Sequence, residues 1–482
     1  MTGPDSLPAL GRSIDDAEMS RRHMRFWLLA ALGVMLDGFD FFIIGVASPL
    51  IAEQWNLDDA VKGLVASAAI IGAIFGAALL GPIADKVGRR RIFKLDLVLF
   101  AVFSVLCIFA WNVWALIAFR FVLGVAIGLD YPIAASYLAE ILPAKVRGRW
   151  LVGAFSLQAV GILLGAVVGV VVLTILPHVN SWRLMLGFGV VPALVIIWLR
   201  RSTPESPRWL AQNGREEEAA KVTEALVGHP VVVSEEDRRR FAPPPEGLKA
   251  FIQPQLFKRD MIRRTLFTSV PWFLMDIATY GVGIFTPTLL AAITIAGHPD
   301  TTFLSDDIAS TKGTAALDIF LVVGFIAAIY LVERIGRIRL QLTGFAVMTF
   351  ALCLLGVADG LPGGGESHLW LVFVAFALFN TFMNAGPNAT TYALPAEVFP
   401  SEIRAAGQGF AAGMAKLGAA LGVFLFPILM NSIGTSAVLF IIAGCCLIAF
   451  TVTKLLGIEP RGRSLGEVTA PSPYLAARPA PP

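Results

Sequence analysis

Twelve runs of about twenty mostly apolar residues decide what this chain can fold into: near 26–50, 61–84, 92–111, 113–138, 150–176, 183–200, 265–291, 314–332, 339–358, 369–393, 405–430 and 435–457. As an α-helix, each run matches the hydrocarbon thickness of a bilayer. Within hydrocarbon every backbone N–H and C=O must be satisfied inside its own segment or in a closed barrel, and runs this long select helices. The expectation is an all-α membrane protein with twelve transmembrane helices. Composition agrees, since 56% of the 482 residues are hydrophobic and only 15% charged. The first twenty residues are polar and the first apolar run has the length of a true span, so no cleavable leader is expected.

The placement of charge says more than the net value of +3. Alternate connections carry Lys86, Arg89, Arg90, Arg91 and Lys94, then Lys145, Arg147 and Arg149, then a basic central segment, then Arg334, Arg337 and Arg339. The intervening connections hold acids, among them Glu53, Asp58, Asp59, Asp300, Asp306, Asp307, Asp359 and Glu366. The bias of basic residues toward the cytoplasm therefore places both termini there, in an inner or plasma membrane. Cys107, Cys353, Cys445 and Cys446 all fall within apolar runs, which suggests packing rather than disulfides or a metal site.

Residues 201–264 interrupt the pattern with charged, proline-broken sequence and read as a cytoplasmic linker. On either side lie two six-helix halves, 26–200 and 265–458, flanked by cytoplasmic tails 1–25 and 459–482. The halves repeat one another. "ADKVGRRR" (84–91) is echoed by "VERIGRIR" (332–339), and "AEILPAKVR" (139–147) by "AEVFPSEIR" (396–404), at an offset of roughly 250 residues. Gly-rich stretches such as 72–81 and 161–169 suit close helix contact.

Polar residues inside the spans are where function is expected, because an intramembrane charge is costly and needs a cavity or a partner. Trp272, Asp276 and Tyr280 lie four residues apart and share one helix face. Lys416 reads as the one strong base deep within a span. Asp37 and Asp40 in "LDGFDFF" and Asp130 before Tyr131 are acids placed to carry protons. Asp318, near the outer end of the eighth run, reads as a solvated rim residue. Asn388 follows a Gly-Pro pair that weakens the helix and frees backbone groups. Tyr131, Gln158, Trp272, Tyr280, Asn388 and Lys416 can all donate hydrogen bonds, with Asp276 as an acceptor among them. Such a set favours an anion that still carries hydroxyl protons. Neither a nucleophile–base arrangement nor metal-ligand spacing is apparent, so an enzyme, a metal site and a cofactor are not expected, and nothing suggests nucleic acid.

The paired acid–base–x–Gly–Arg loops, "PESPRWL" after the sixth run and "PAEVFP" after the tenth resemble the sugar-porter-like major facilitator superfamily over nearly the whole chain. "GLDYPIAASYLAE", "FSLQAVGILLGA", "WFLMDIATYG" and "NAGPNATTYALPAEVFP" with Lys416 downstream resemble its phosphate:proton symporters. That resemblance implies phosphate binding by Tyr131, Gln158, Trp272, Asp276, Tyr280, Asn388 and Lys416, with lipid around a monomer and protons as the coupling ion. It also implies a proton relay through acids of the first and fourth spans, Asp37, Asp40 and Asp130. The family's third-span Glu is replaced here by the shorter Asp96, which fits either the relay or the cytoplasmic charge cluster. The loop motifs then imply salt-bridge networks that latch one conformation: Asp85 with Arg89 and Arg90, Glu140 with Arg147 and Arg149, Glu333 with Arg337, and Glu397 with Arg404. The expected activity is proton-coupled phosphate symport by alternating access. "DGFD" also resembles aromatic-acid symporters, leaving a symporter of an organic anion or sugar, or a nutrient-sensing receptor of transporter architecture, as alternatives.

Overall fold

The computed structural model describes residues 8–77, 88–143, 145–201, 203–235, 237, 254–259, 261–294, 303–361, 365–399 and 403–461. Its elements are helical: α1 (Leu10–Asp16), α2 (Arg21–Trp55), α3 (Asp59–Phe75), α4 (Arg89–Ile108), α5 (Val113–Ile141), α6 (Arg147–Ile175), α7 (Trp182–Gly187), α8 (Val190–Arg200), α9 (Pro207–Gln212) and α10 (Glu216–Val227). After the linker follow α11 (Ile262–Ile284), α12 (Thr286–Thr294), α13 (Phe303–Ile335), α14 (Arg337–Gly360), α15 (Leu369–Met383), α16 (Ala389–Val398), α17 (Arg404–Ile433) and α18 (Thr435–Leu456).

Among the described residues nine helical segments are long and apolar enough to cross a membrane. The remaining three of the twelve expected runs coincide with α3, α4 and α11. Several runs are interrupted. The sixth divides into α7 and α8, the seventh ends in α12, and the tenth holds a π-helical turn, Asn384–Asn388, between α15 and α16. The eighth begins well before 314. Residues 303–314 are too polar to register as a span, yet Asp307, Ser310, Thr311 and Thr314 are buried there. α2 begins at Arg21, where Ser20 accepts from the His23 N–H and the His23 ring reaches back to the Ser20 N–H, a capping box that fixes the helix start.

The pairs α2–α6 and α3–α5 pack closely in the first half, as do α11–α17 and α14–α18 in the second, while α17 against α3 and α13 against α6 join the halves. Close approach depends on small residues. A Cβ at Gly161 of α6 would lie 1.9 Å from the Met35 carbonyl oxygen of α2, so only glycine allows this crossing. The described part of the N-terminal tail is not loose. Leu10 and Ile14 of α1 pack on Trp209, Leu210, Ala211, Ala219 and Val233 of the linker. Leu10 N–H donates to the Val232 carbonyl at 2.9 Å and Gly11 N–H to Asp237 at 3.0 Å.

Candidate functional site

The spacing of Trp272, Asp276 and Tyr280 on α11 does place them on one buried face, 4%, 3% and 4% exposed. They line a central pocket together with Gln158 of α6, Asn388 and Lys416. Six of the seven expected ligand positions thus converge from both halves. Tyr131 lies on α5, and its side chain falls outside the described residues.

The geometry assigns hydrogen-bonding states. Lys416 Nζ donates to Tyr280 Oη at 2.7 Å, lies 4.5 Å from the centre of the Tyr280 ring, and stands 3.8 Å from Asp276 Oδ2. Gln158 Nε2 donates to the same Tyr280 oxygen at 3.3 Å. With both acceptor positions of that phenol taken, its proton is available to donate elsewhere. Among the described residues Asp276 Oδ2 is buried with no hydrogen-bond partner, so an acceptor is held ready beside an ammonium. Such a group is expensive to leave unmade, a state that a ligand proton could relieve.

Asn388 is oriented by a ladder that sequence reasoning missed. Its Nδ2 donates to Asn384 Oδ1 at 2.8 Å, Asn384 donates to the Asn380 carbonyl at 3.0 Å, and Asn380 donates to the Leu317 carbonyl at 3.0 Å. The signal was present as asparagines at four-residue spacing. The π turn around Gly386 and Pro387 widens the helix where the ladder faces the cavity. Toward the linker side, Phe155 of α6 stacks on Tyr392 of α16 with centroids 4.4 Å apart, and Trp272 meets Tyr392 edge-on at 6.2 Å. Asp318 is no solvated rim residue: it is 6% exposed and lines the same cavity.

The candidate relay acids are buried, but most are held by arginines. Asp40 pairs with Arg120 at 3.3 Å, and Arg120 is 1% exposed, so Lys416 is not the one strong base deep in a span. Arg200 of α8 lies 3.1 Å from Asp130 and 3.9 Å from Asp96, and its Nε donates to the Leu29 carbonyl at 2.9 Å. Asp96 therefore joins Asp130 around one guanidinium rather than the loop cluster. Asp37 lies within electrostatic reach of Asp130, Arg200, Lys416 and Asp40. Arg120 is visible in the sequence as a base inside an apolar run, and Arg200 as the last residue of another.

At the linker-side helix ends the pairing differs from the expected one. Arg89 bridges to Glu140 at 2.9 Å, and Glu140 also accepts from the Ser206 hydroxyl. Arg147 pairs with Asp15 of α1 instead of Glu140. In the second half Arg337 contacts both Glu333 and Glu397 at 2.8 Å. Asp85 and the side chain of Arg404 lie outside the described residues. A further matched pair went unnoticed in the sequence. Glu205 accepts from the Arg90 N–H at 3.2 Å, and Glu459 from the Arg337 and Ile338 N–H groups at 3.1 and 2.9 Å, each capping a helix start. Gly88 and Gly336 precede those helices with φ of +103° and +98°, and a Cβ on either would strike the capping carboxylate at 2.6 or 2.7 Å. "PESPR" and "IEPR" are thus a third internal echo. Burial pushes the Glu205 carboxyl above its ordinary range, against the opposing pull of the backbone N–H groups it accepts from.

Comparison with known proteins agrees with this architecture. Residues 26–470 match the family model described as "Sugar (and other) transporter". The chain is 30% identical to the putative metabolite transport protein YaaU of Escherichia coli (strain K12), covering 95% of this chain and 97% of that one. It is 29% identical to the putative inorganic phosphate transporter 1-13 of Oryza sativa subsp. japonica, covering 97% and 95%. A partially occluded inward-open structure of the xylose transporter XylE from E. coli superposes with a TM-score of 0.74 at 20% identity, over 92% of this chain and all of that one. A twelve-helix bundle of two related halves, a central cavity shared between them and a family match over most of the sequence have one meaning: the chain belongs to the sugar (and other) transporter family of the major facilitator superfamily and is a multi-pass membrane transporter, not an enzyme.

Proposed function

We propose that this transporter carries inorganic phosphate into the cell together with protons, by alternating access about the central cavity. The observation that carries this reading is the Lys416–Tyr280–Gln158 donor chain, with Lys416 3.8 Å from Asp276 Oδ2, an oxygen that has no hydrogen-bond partner among the described residues. An anion bound there meets an ammonium, a phenol proton and amide donors. To satisfy Asp276 as well it must bring a proton of its own, which dihydrogen phosphate does and sulfate does not. Relatives named as inorganic phosphate transporters support the same reading.

In this reading Tyr131, Gln158, Trp272, Asp276, Tyr280, Asn388 and Lys416 bind the substrate. Asp37, with Asp40, Asp96 and Asp130 behind it, passes protons between the cavity and the first half. The linker-side networks of Asp85, Arg89, Arg90, Glu140 and Arg147, and of Glu333, Arg337, Glu397 and Arg404, act as latches that must open for the halves to rock. The halves extend over 26–200 and 265–458, the protein works as a monomer, and both termini face the cytoplasm of an inner or plasma membrane.

A second reading, symport of a hydroxylated organic anion, is favoured by one observation: Asp318 and the asparagine ladder bring more polar groups to the cavity than a tetrahedral anion uses. Relatives named for metabolite transport fit this alternative. Uptake of labelled phosphate into proteoliposomes, with and without an inward proton gradient, tests the first reading. Gradient-stimulated uptake is expected, and a folded protein that takes up no phosphate in either condition overturns it.

A further inference from the structure

α13 carries a polar stripe that the substrate site does not explain. Asp307, Thr311, Thr314 and Asp318 recur at four-, three- and four-residue steps, so they share one helix face. Their exposures are 5%, 0%, 4% and 6%. The stripe starts near the end of α13 that lies away from the linker and reaches the central cavity at Asp318, a span of about 16 Å at the α-helical rise. Along part of its length it faces α6, where Gly169 comes up against the Thr311 methyl group.

An apolar face would pack against α6 without leaving polar groups unpaired. Instead, Asp307 Oδ2 and Thr311 Oγ1 are buried with no hydrogen-bond partner among the described residues. The hydroxyls of Ser310 and Thr314 donate to the carbonyls of Asp307 and Ser310 at 3.1 and 2.9 Å, which leaves their oxygens free to accept. Asp318 has neither an ion pair nor a hydrogen bond to its carboxyl among the described residues. The charged or titratable groups nearest it across the cavity are Asp276 and Tyr280 on α11 and Lys416 on α17, with Lys416 already engaged by Tyr280 and Asp276. α6 contributes only the neutral Gln158, and α15 with the π turn only Asn380, Asn384 and Asn388. α12 carries no titratable residue, and Asp37 of α2 interacts electrostatically with Asp130, Arg200 and Lys416 without lining the cavity. An ionised carboxylate without a counter-ion in such surroundings is strongly disfavoured, whereas the protonated acid is tolerated. In contrast, Asp40, Asp96 and Asp130 each face a guanidinium.

We propose that Asp318 is a proton-carrying carboxyl of the transport cycle, supplied from the face opposite the linker along the Asp307–Thr311–Thr314 stripe of α13. The proton travels through water interleaved with these oxygens and rests on Asp318 while the substrate occupies the cavity. This inference rests on the proton-coupled reading of the central site and adds a carrier in the second half.

The test uses the full chain in proteoliposomes with labelled inorganic phosphate. Counterflow reports binding and translocation without net proton movement, whereas gradient-driven accumulation needs coupling. Asp318→Asn should keep counterflow within about threefold of wild type, lose about tenfold or more in accumulation, and flatten the pH profile. Asp318→Glu should recover accumulation. An Asn variant that accumulates like wild type, or that loses counterflow as severely as accumulation, overturns the proposal. If wild type moves no phosphate at all, the phosphate reading fails on its own. The carrier is then decided without substrate, by infrared spectra of the detergent-solubilised protein over a pH titration. A protonated-carboxyl band present in wild type and missing in Asp318→Asn supports the carrier, and an unchanged band overturns it.

Discussion

The two halves match at their linker-side ends and part company in the middle. At the ends, Arg89–Glu140 and Arg337–Glu397 are equivalent bridges at 2.9 and 2.8 Å, and Glu205 and Glu459 cap equivalent helix starts behind Gly88 and Gly336. In the middle, Asp40 of the first half pairs with Arg120 and Asp96 and Asp130 share Arg200, whereas the second half holds a lysine 3.8 Å from one carboxylate and two acids, Asp307 and Asp318, with no cation partner among the described residues. Duplicated ends suit a movement that both halves must make together. An unequal interior suits a division of labour, with acids held around arginines in the first half and most of the polar groups that line the cavity supplied by the second.

The largest effect on binding expected from breaking this contrast is at Lys416. Lys416→Ala leaves an anion to enter the cavity without its counter-charge, and phosphate affinity should fall by about a hundredfold or more, on the scale of a lost buried charge partner. Calorimetry in detergent measures it. If Asp276→Ala restores binding in the double variant, the lysine serves only to pair the aspartate.

Arg200 should behave differently. Arg200→Met strands Asp130 and Asp96, a loss of about 3–5 kcal/mol of stability. Thermal unfolding in detergent should show a lowered midpoint, with partial recovery when Asp130→Asn is added. An unaltered midpoint would mean that this cluster is solvated and mobile, and the contrast between the halves would weaken.

Asp276→Asn keeps shape, removes the charge and adds a donor. Sulfate should become a better competitor of labelled phosphate by about tenfold, since its exclusion depends on an acceptor that repels it. Unchanged discrimination at fixed pH, with binding intact, would remove Asp276 from the selectivity argument.

The smallest effect on binding sharpens the symmetry itself. Gly88→Ala and Gly336→Ala each put a Cβ at positive φ against a capping carboxylate, at a cost of about 1–3 kcal/mol. Both should slow transport by similar factors while leaving phosphate affinity within about threefold. A large difference between the two rates would show that the ends are alike in form and unlike in use.

Much of this was legible in the sequence because it depends on local rules. Span length and apolarity gave twelve helices, the echoed loops gave two related halves, and four-residue spacing put Trp272, Asp276 and Tyr280 on one face. The Gly-Pro pair before Asn388 marked the π turn. What local rules could not give was partnership between segments far apart in the chain. Which acid Arg89 or Arg147 takes, how Arg200 reaches Asp130 seventy residues away, and whether Asp318 meets solvent or the cavity all depend on how tilted helices cross. The start of α13 shows the limit plainly. Hydropathy stopped at 314 because Asp307, Ser310 and Thr311 are polar, and only the packing of α13 against its neighbouring helices, α6 and α12 among them, makes those turns buried ones. Sequence fixes a residue's chemistry and its phase on a helix; the electrostatic state that gives it work to do is set by the neighbours that tertiary structure brings within a few ångströms.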